Sequence, residues 1–259
     1  MSLAIIGGTG IDEMKEFISE KAISVSTRFG SADIIEGRYA DSSLFFVPRH
    51  GLDHSIPPSR INYRAQIAAL KKLGVERVIG VCAVGSLSKD LHPGSFAVLR
   101  DFIDLTKRRE DTFFDVPGEP VVHTDFTYPY CPFISDALVQ SCIDASVSYE
   151  PNAVYVGVEG PRYESPAEIK LYGFWGAHVI GMTNLPEVVL AREAGLCYGA
   201  IGIVTNFASG IGDVALAHND VRLAVASASD VLRDILHNSL NRILTNSTCT
   251  CRLNKGLVL

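Results

Sequence analysis

Val179-Ile-Gly-Met-Thr-Asn-Leu-Pro-Glu-Val-Val-Leu-Ala-Arg-Glu-Ala-Gly195 runs on through Leu-Cys-Tyr-Gly-Ala-Ile-Gly-Ile-Val-Thr-Asn206, and the pattern is strand, turn, helix, strand. His178 to Met182 is short and apolar, fit for a buried strand. Thr183 or Asn184 offers a helix cap, Pro186 suits the first turn, and Gly195 ends the helix. Tyr198 to Thr205 is a second apolar run, stopped by Asn206. Two parallel strands joined by a helix would place both C-terminal ends on one sheet edge, where open α/β sheets bind ligands. Thr183 and Asn206 are therefore expected to face one crevice.

Working outward, other apolar runs also end in polar or glycine-rich turns. Leu3 to Ile6 empties into Gly7-Gly8-Thr9-Gly10. Glu13 stands where a dinucleotide fingerprint needs its last glycine, so the turn suits an anion rather than a nicotinamide cofactor. Gly37 to Ala40 and Ser43 to Val47 read as a hairpin around Asp41-Ser42, and the second strand ends in Pro48-Arg49-His50-Gly51. A helix is expected from Asn62 to Leu73. Arg77 to Val81 is a buried-type strand leading into Cys82-Ala83-Val84-Gly85-Ser86. Strands are also expected at Phe96 to Ile103 and Ala153 to Val158, the latter ending in Glu159-Gly160-Pro161-Arg162-Tyr163-Glu164. Residues 106–135, with Phe113, Phe114, His123, Phe126 and Tyr128, read as a long functional loop carrying exposed aromatics. Asp220 to Leu244 carries one apolar stripe and should be a long helix. Alternating strands and helices give one three-layer α/β/α domain over residues 1–259, with 245–259 as a tail.

Composition excludes several functions. The 259 residues are 47% hydrophobic with a formal charge of −6, which gives no electrostatic case for nucleic acid or an anionic membrane. No apolar run is long enough to span a bilayer, and no basic leader precedes the first strand, so a cytoplasmic enzyme is expected. Six scattered cysteines read as reduced core thiols. Without a C-x-x-C or H-E-x-x-H pattern no metal site is expected, and Cys249 and Cys251 are assigned to a disordered tail.

The combination IIGGTG at 5–10, PRHG at 48–51, INYRA at 61–65, AVGSL at 83–87, FID at 102–104, EGPRYES at 159–165 and MTNLPEVVLAREAG at 182–195 resembles the trimeric purine nucleoside phosphorylases, especially their methylthioadenosine-phosphorylase branch. The resemblance spans roughly residues 3 to 244. It implies a phosphorylase fold with a central mixed, mostly parallel sheet. It also implies a reaction in which orthophosphate displaces a purine from ribose, with phosphate as co-substrate and no cofactor. By resemblance Thr9, Arg49, His50, the Ala83 N–H and Thr183 hold phosphate, and Met182 and Tyr163 pack on the nucleoside. His218 resembles a contact to the five-prime hydroxyl. His123 resembles a histidine lent to a neighbouring subunit, in a homotrimer or a hexamer of paired trimers. Cys249-x-Cys251 resembles a tail disulfide motif of some hyperthermophilic relatives.

At the base, the chain departs from that branch. Adenine-specific members place aspartates where this chain has Asn206 and Ala208, and a serine where it has Glu164; Glu164 and Asn206 match the 6-oxopurine enzymes instead. Asn206 can donate to an exocyclic oxygen and Glu164 can accept from the adjacent ring N–H, and adenine reverses both. Inosine and guanosine are thus the expected substrates, with Asn206 and Glu164 as catalytic and base-reading residues. Methylthioinosine is the alternative, and methylthioadenosine stands behind it. Arg49→Ala is expected to weaken phosphate binding and Asn206→Ala to lower turnover. A nucleoside hydrolase and a non-catalytic nucleotide-binding module are the rival classes, separable by phosphate-dependent product release.

Overall fold

The computed structural model describes residues 2–8, 21–119, 121–212, 218–245 and 249–251, without the side chains of 218–220. Among the described residues nine strands form one mixed sheet: β1 (Ser2–Gly7), β2 (Lys21–Thr27), β3 (Gly30–Tyr39), β4 (Ser42–Pro48), β5 (Arg77–Ser86), β6 (Phe96–Leu105), β7 (Tyr149–Val158), β8 (Val179–Gly181) and β9 (Cys197–Phe207). Among the described residues five α-helices accompany them, with a 3-10 turn at Pro58–Arg60: α1 (Tyr63–Lys72), α2 (Pro132–Asp144), α3 (Pro166–Phe174), α4 (Glu187–Glu193) and α5 (His218–Thr245). The parallel pairings are β1 with β4 and β5, β5 with β9, and β7 with β6 and β8. The others, β2–β3, β3–β4, β5–β8 and β6–β9, are antiparallel.

Alternation along the central strands explains the layers. On β1, Ala4 and Ile6 join the core under α1 and α4, whereas Leu3 and Ile5 join the core under α2 and α5. A strand buried on both faces needs apolar residues at every position, which is why it reads as a continuous run. Successive residues point to opposite sides, so each core claims every second one.

The sheet also closes. β5, β8, β7, β6 and β9 pair in succession, and β9 returns to β5, making a five-stranded ring at one end of the open sheet. This corrects the reading of the 179–206 stretch. β8 runs antiparallel to β5, and β5 runs parallel to β9, so β8 and β9 are not a parallel pair. They approach one another across the end of β5, where Gly85 registers with both Ile180 and Asn206. The shared crevice follows from ring closure rather than from a simple strand-helix-strand crossover.

Local differences have identifiable causes. α4 starts at Glu187 with Pro186 at its cap position, and no side chain caps it. The Asn184 amide is instead held by two buried tyrosines, donating to Tyr198 Oη at 2.8 Å and accepting from Tyr130 Oη at 2.6 Å. The hairpin forms with its turn one residue earlier than expected, at Ala40-Asp41 rather than Asp41-Ser42, so that Tyr39 pairs with Ser42. In the 106–135 segment α2 already begins at Pro132. Phe113 is fully buried against Phe29, with ring centroids 5.1 Å apart, so it is core and not a surface aromatic. Phe114 and Phe126 are half-buried, while His123 and Tyr128 are exposed. In the tail, Cys251 is buried and Cys249 half-buried, so these two residues pack on the fold.

Candidate active site

A cavity of about 300 Å³ opens where the ring of strands meets the open sheet. Its lining joins Gly8 after β1, Arg49 and His50 after β4, Ala83 to Gly85 of β5, and Tyr163 and Glu164 after β7. Met182 and Thr183 after β8 and Asn206 of β9 complete the set. Thr9 and the His218 side chain lie outside the described residues. His123 does not line the chain's own cavity.

One end is built around Arg49, which is 1% exposed. Its Nε donates to Glu187 Oε2 at 2.6 Å and its Nη2 to Glu187 Oε1 at 2.9 Å. Nη1 donates to the Val81 carbonyl at 2.9 Å, and Nη2 also to the Ile6 carbonyl at 3.3 Å. Burial works against the guanidinium charge, but Glu187 outweighs it and the pKa is raised. Most of the Arg49 fork is therefore spent inside the protein. Four of its five N–H groups are engaged by the protein, and a single Nη1 hydrogen is left beside Gly8. A Cβ on Gly8 would lie 3.4 Å from that nitrogen and 2.9 Å from His50 Cδ2, so glycine keeps this approach open.

His50 points its other ring edge into the same space. Its Nδ1 lies 2.7 Å from the Ile56 carbonyl, an acceptor only, which fixes the proton on Nδ1. Burial pushes its pKa down to about 4, with Arg49 and His54 adding to the effect and the Ile56 carbonyl opposing it. The ring is thus neutral near pH 7 and Nε2 is a bare acceptor, able to take the hydrogen of a monoprotonated phosphate. Ala83 follows Val81 by two residues, so its N–H leaves the same strand edge on which Val81 O meets Arg49. β1 pairs with β5 only as far as Gly80, so that edge is open at Ala83.

Thr183 is held from behind. The N–H groups of Thr183 and Asn184 donate to Tyr155 Oη at 3.2 and 3.3 Å. Arg109 donates to the carbonyls of Met182 and Leu185 and, on its other nitrogen, to those of Val158 and Glu159. Tyr198 Oη donates to Glu187 Oε1 at 2.6 Å and receives the Asn184 amide. A buried hydrogen-bonded chain therefore runs from Arg49 through Glu187, Tyr198 and Asn184 to Tyr130. Sequence reading missed Glu187, Tyr198, Tyr155 and Arg109, and read Asn184 only as a helix cap. Glu187 did leave a signal, a carboxylate at the start of an apolar helix whose Val188, Leu190 and Ala191 are buried, which requires a cation inside the fold.

The other end carries the base-reading candidates. The β5–β9 register slips between Val84 and Gly85, which leaves Thr205 as the extra residue and turns Asn206 into the cavity. Asn206 Nδ2 donates to the Phe207 carbonyl at 2.9 Å, and its Oδ1 lies 2.9 Å from the Thr205 hydroxyl. Because a carbonyl only accepts, Phe207 fixes the amide orientation and leaves one N–H and one lone pair for a ligand. Glu164 is 9% exposed. Burial raises its pKa, Glu168 adds to the rise, and its own backbone N–H and Arg162 oppose it. Ala208 lines the same wall and is buried. Ile56, Pro57, Pro58, Met182 and Val221 supply the apolar surface, and Met182 fills the space above Gly160. Cys82 also borders the cavity, but burial pushes its thiol up to about 12, which removes it as a nucleophile.

Comparison with known proteins agrees with this geometry. The phosphorylase superfamily signature matches residues 2–241. The chain is 42% identical to a probable 6-oxopurine nucleoside phosphorylase of Dictyoglomus turgidum over 97% of its own length and 95% of that protein. It is 43% identical to a probable S-methyl-5'-thioinosine phosphorylase of Methanocaldococcus jannaschii, covering 96% of each. Among solved structures, the methylthioadenosine phosphorylase of Schistosoma mansoni in complex with adenine superposes with a TM-score of 0.91 at 32% identity, covering 95% of this chain and 93% of the other.

Proposed function

Because the chain belongs to the phosphorylase superfamily, we propose that it catalyses phosphorolysis of 6-oxopurine nucleosides, releasing hypoxanthine or guanine and a pentose 1-phosphate. The observation that carries this reading is Asn206 and Glu164 on the cavity that Arg49, His50, Ala83 and Thr183 also line. In this reading phosphate sits against the Arg49 Nη1 hydrogen, the Ala83 N–H, Thr183 and His50 Nε2, with Thr9 completing the cradle. The purine lies at the far end. The free Asn206 N–H donates to the exocyclic oxygen, the Asn206 carbonyl accepts from the protonated imidazole-side nitrogen, and Glu164 accepts from the ring N–H.

As the glycosidic bond lengthens, positive charge develops on the ribose and is met by phosphate on the opposite face. Negative charge develops on the purine, whose imidazole-side nitrogen takes a proton from solvent, and the Asn206 carbonyl stabilises that protonated leaving form. Tyr163 and Met182 hold the sugar and base between the two ends. All of this is acid–base and electrostatic work by side chains, and phosphate is the only co-substrate the reading requires. Base release is measured from inosine with and without phosphate. Release that requires phosphate and yields ribose 1-phosphate supports the reading, and equal release in water alone supports a hydrolase instead.

A second reading concerns the five-prime end. Ile56, Pro57 and Pro58 make part of the wall apolar, which suits a methylthio group better than a hydroxyl needing a partner. Relative kcat/KM for inosine and methylthioinosine decides between them. The assembly belongs to the same proposal. His123 is exposed and off its own cavity, and it serves a neighbouring copy's site in a homotrimer or a hexamer of paired trimers. No described helix is long and apolar enough to cross a membrane, which fits the proposed cytoplasmic salvage role.

A further inference from the structure

Four cysteine sulfurs meet at the opposite end of β9 from the cavity. Cys131 stands at the N-terminus of α2, Cys197 opens β9, and Cys249 and Cys251 come from the segment after α5. All four Sγ atoms lie within 4.8 Å of one another. Cys131, Cys197 and Cys251 are buried, and Cys249 is half-buried. We propose that these four cysteines form a structural zinc site that fastens the segment after α5 to the core.

Zinc binds four thiolates tetrahedrally at about 2.3 Å, which sets sulfur–sulfur separations near ~3.8 Å, inside the observed cluster. Soft sulfur ligands in tetrahedral array favour zinc among the common divalent ions. The cluster does not divide into two bonded pairs. Cys197 Sγ and Cys249 Sγ are 2.8 Å apart, longer than the ~2.05 Å of a disulfide bond and shorter than the spacing around zinc, so metal binding spreads this pair. All four are free cysteines, and their sulfurs lie within 4.8 Å of one another.

Charge separates the two possibilities further. Four thiolates around a zinc ion carry a net negative charge, whereas two disulfides carry none. Arg77 is the register partner of Cys197 on the adjacent strand, is 2% exposed, and stacks on the Phe133 ring at 5.1 Å. Its Nε and Nη1 have no hydrogen-bond partner among the described residues. A buried guanidinium so placed is costly beside neutral sulfurs and stabilising beside an anionic cluster. Cys131 also sits at the positive end of α2, where a thiolate is favoured. Binding is not a redox step. Each cysteine forms an S–Zn bond and its thiol proton goes to solvent. Cys197 and Asn206 lie at opposite ends of β9, about 30 Å apart at strand rise, so the metal takes no part in phosphorolysis.

The full chain, purified under reducing conditions from zinc-supplemented cells, is assayed for metal and, after denaturation with chelator, for thiols. One equivalent of zinc per chain and all six cysteines titrating as thiols are expected. Metal-free protein titrated with cobalt should develop the ligand-field and charge-transfer bands of a tetrahedral tetrathiolate. Cys249→Ser with Cys251→Ser should lose zinc and those bands while keeping phosphorolysis, and Cys142→Ser, outside the cluster, should keep both metals. Two thiols with no metal would mean two disulfides and would overturn the proposal. So would six thiols without zinc, iron in place of zinc, or a wild-type cobalt titration without these bands. The wild-type titration decides the matter even if the double variant fails to fold.

Discussion

The two ends of the cavity are built differently. At the Arg49 end nearly every polar group is already engaged by the protein: Arg49 by Glu187, Val81 and Ile6, His50 by Ile56, and Thr183 through Tyr155. At the Asn206 end the side chain is fixed only by its sequence neighbours Thr205 and Phe207, and Glu164 projects from the loop after β7. The first end is therefore both phosphate cradle and core. The second is a reading head mounted on a rigid strand. Substitutions at the first should cost stability before they cost affinity, and those at the second should change chemistry while leaving the fold intact.

The largest effect that would break this contrast lies at Glu187. Glu187→Ala leaves the Arg49 charge buried and unpaired, which costs about 3–5 kcal/mol. Urea denaturation should show that loss, and a stable Glu187→Ala protein would mean that the buried pair does not organise this end. The same reasoning makes Arg49→Ala a stability variant, because it strands the Glu187 carboxylate at 1% exposure. Arg49 is thus a poor probe of phosphate affinity alone.

Asn206→Ala comes next. Loss of one preorganised group facing developing charge lowers kcat by about 10²–10³-fold. The melting temperature should stay close to wild type, since no other element depends on that amide. A matching fall in stability would erase the distinction between the ends.

His50 sharpens the comparison through pH. Its folded pKa is depressed to about 4 from the ordinary 6.5, so between those values the unfolded chain binds a proton that the folded chain does not. Stability supplied by the neutral ring is present above pH 6.5 and is lost as pH falls towards 4, by about 3 kcal/mol in all. Unfolding free energies of wild type and His50→Asn at pH 7 and 4.5 should diverge by most of that amount.

Glu164→Gln gives the smallest effect. Replacing a charged acceptor costs about 1.5–3 kcal/mol in kcat/KM for inosine. Because burial raises the Glu164 pKa, wild-type inosine binding should begin to weaken on acidification above the usual carboxylate range. Glu164→Gln should lack that acid limb, and an unchanged pH profile would remove Glu164 from base recognition.

Much of this site was legible in the sequence for a plain reason. Strands buried on both faces read as apolar runs, so the polar residues at their ends stand out. Arg49, His50, Glu164, Thr183 and Asn206 stood out that way, the Ala83 N–H came from the resemblance, and all six line one cavity. What stayed hidden depends on long-range pairing. The antiparallel placement of β8 against β5 rests on two residue pairs, Gly85 with Ile180 and Ser86 with Val179, which no local pattern encodes. β2 and the start of β3 were missed because they are largely exposed and lack a clear apolar run. The Glu187–Tyr198–Asn184 chain joins polar atoms from apolar-looking segments that meet only in the fold. The cysteine cluster was invisible because its members are scattered, with Cys197 and Cys249 52 residues apart.

The central claim is that a fixed amide at 206 and a carboxylate at 164 select the oxo edge of a purine. Phe207 prevents the Asn206 amide from turning over to suit adenine, since a flip would set carbonyl against carbonyl. The direct test is the ratio of kcat/KM for inosine to that for adenosine at saturating phosphate. Inosine should be favoured by about 10⁴-fold, as expected when the wrong base leaves buried polar groups unpaired. Equal rates, or a preference for adenosine, would contradict the account.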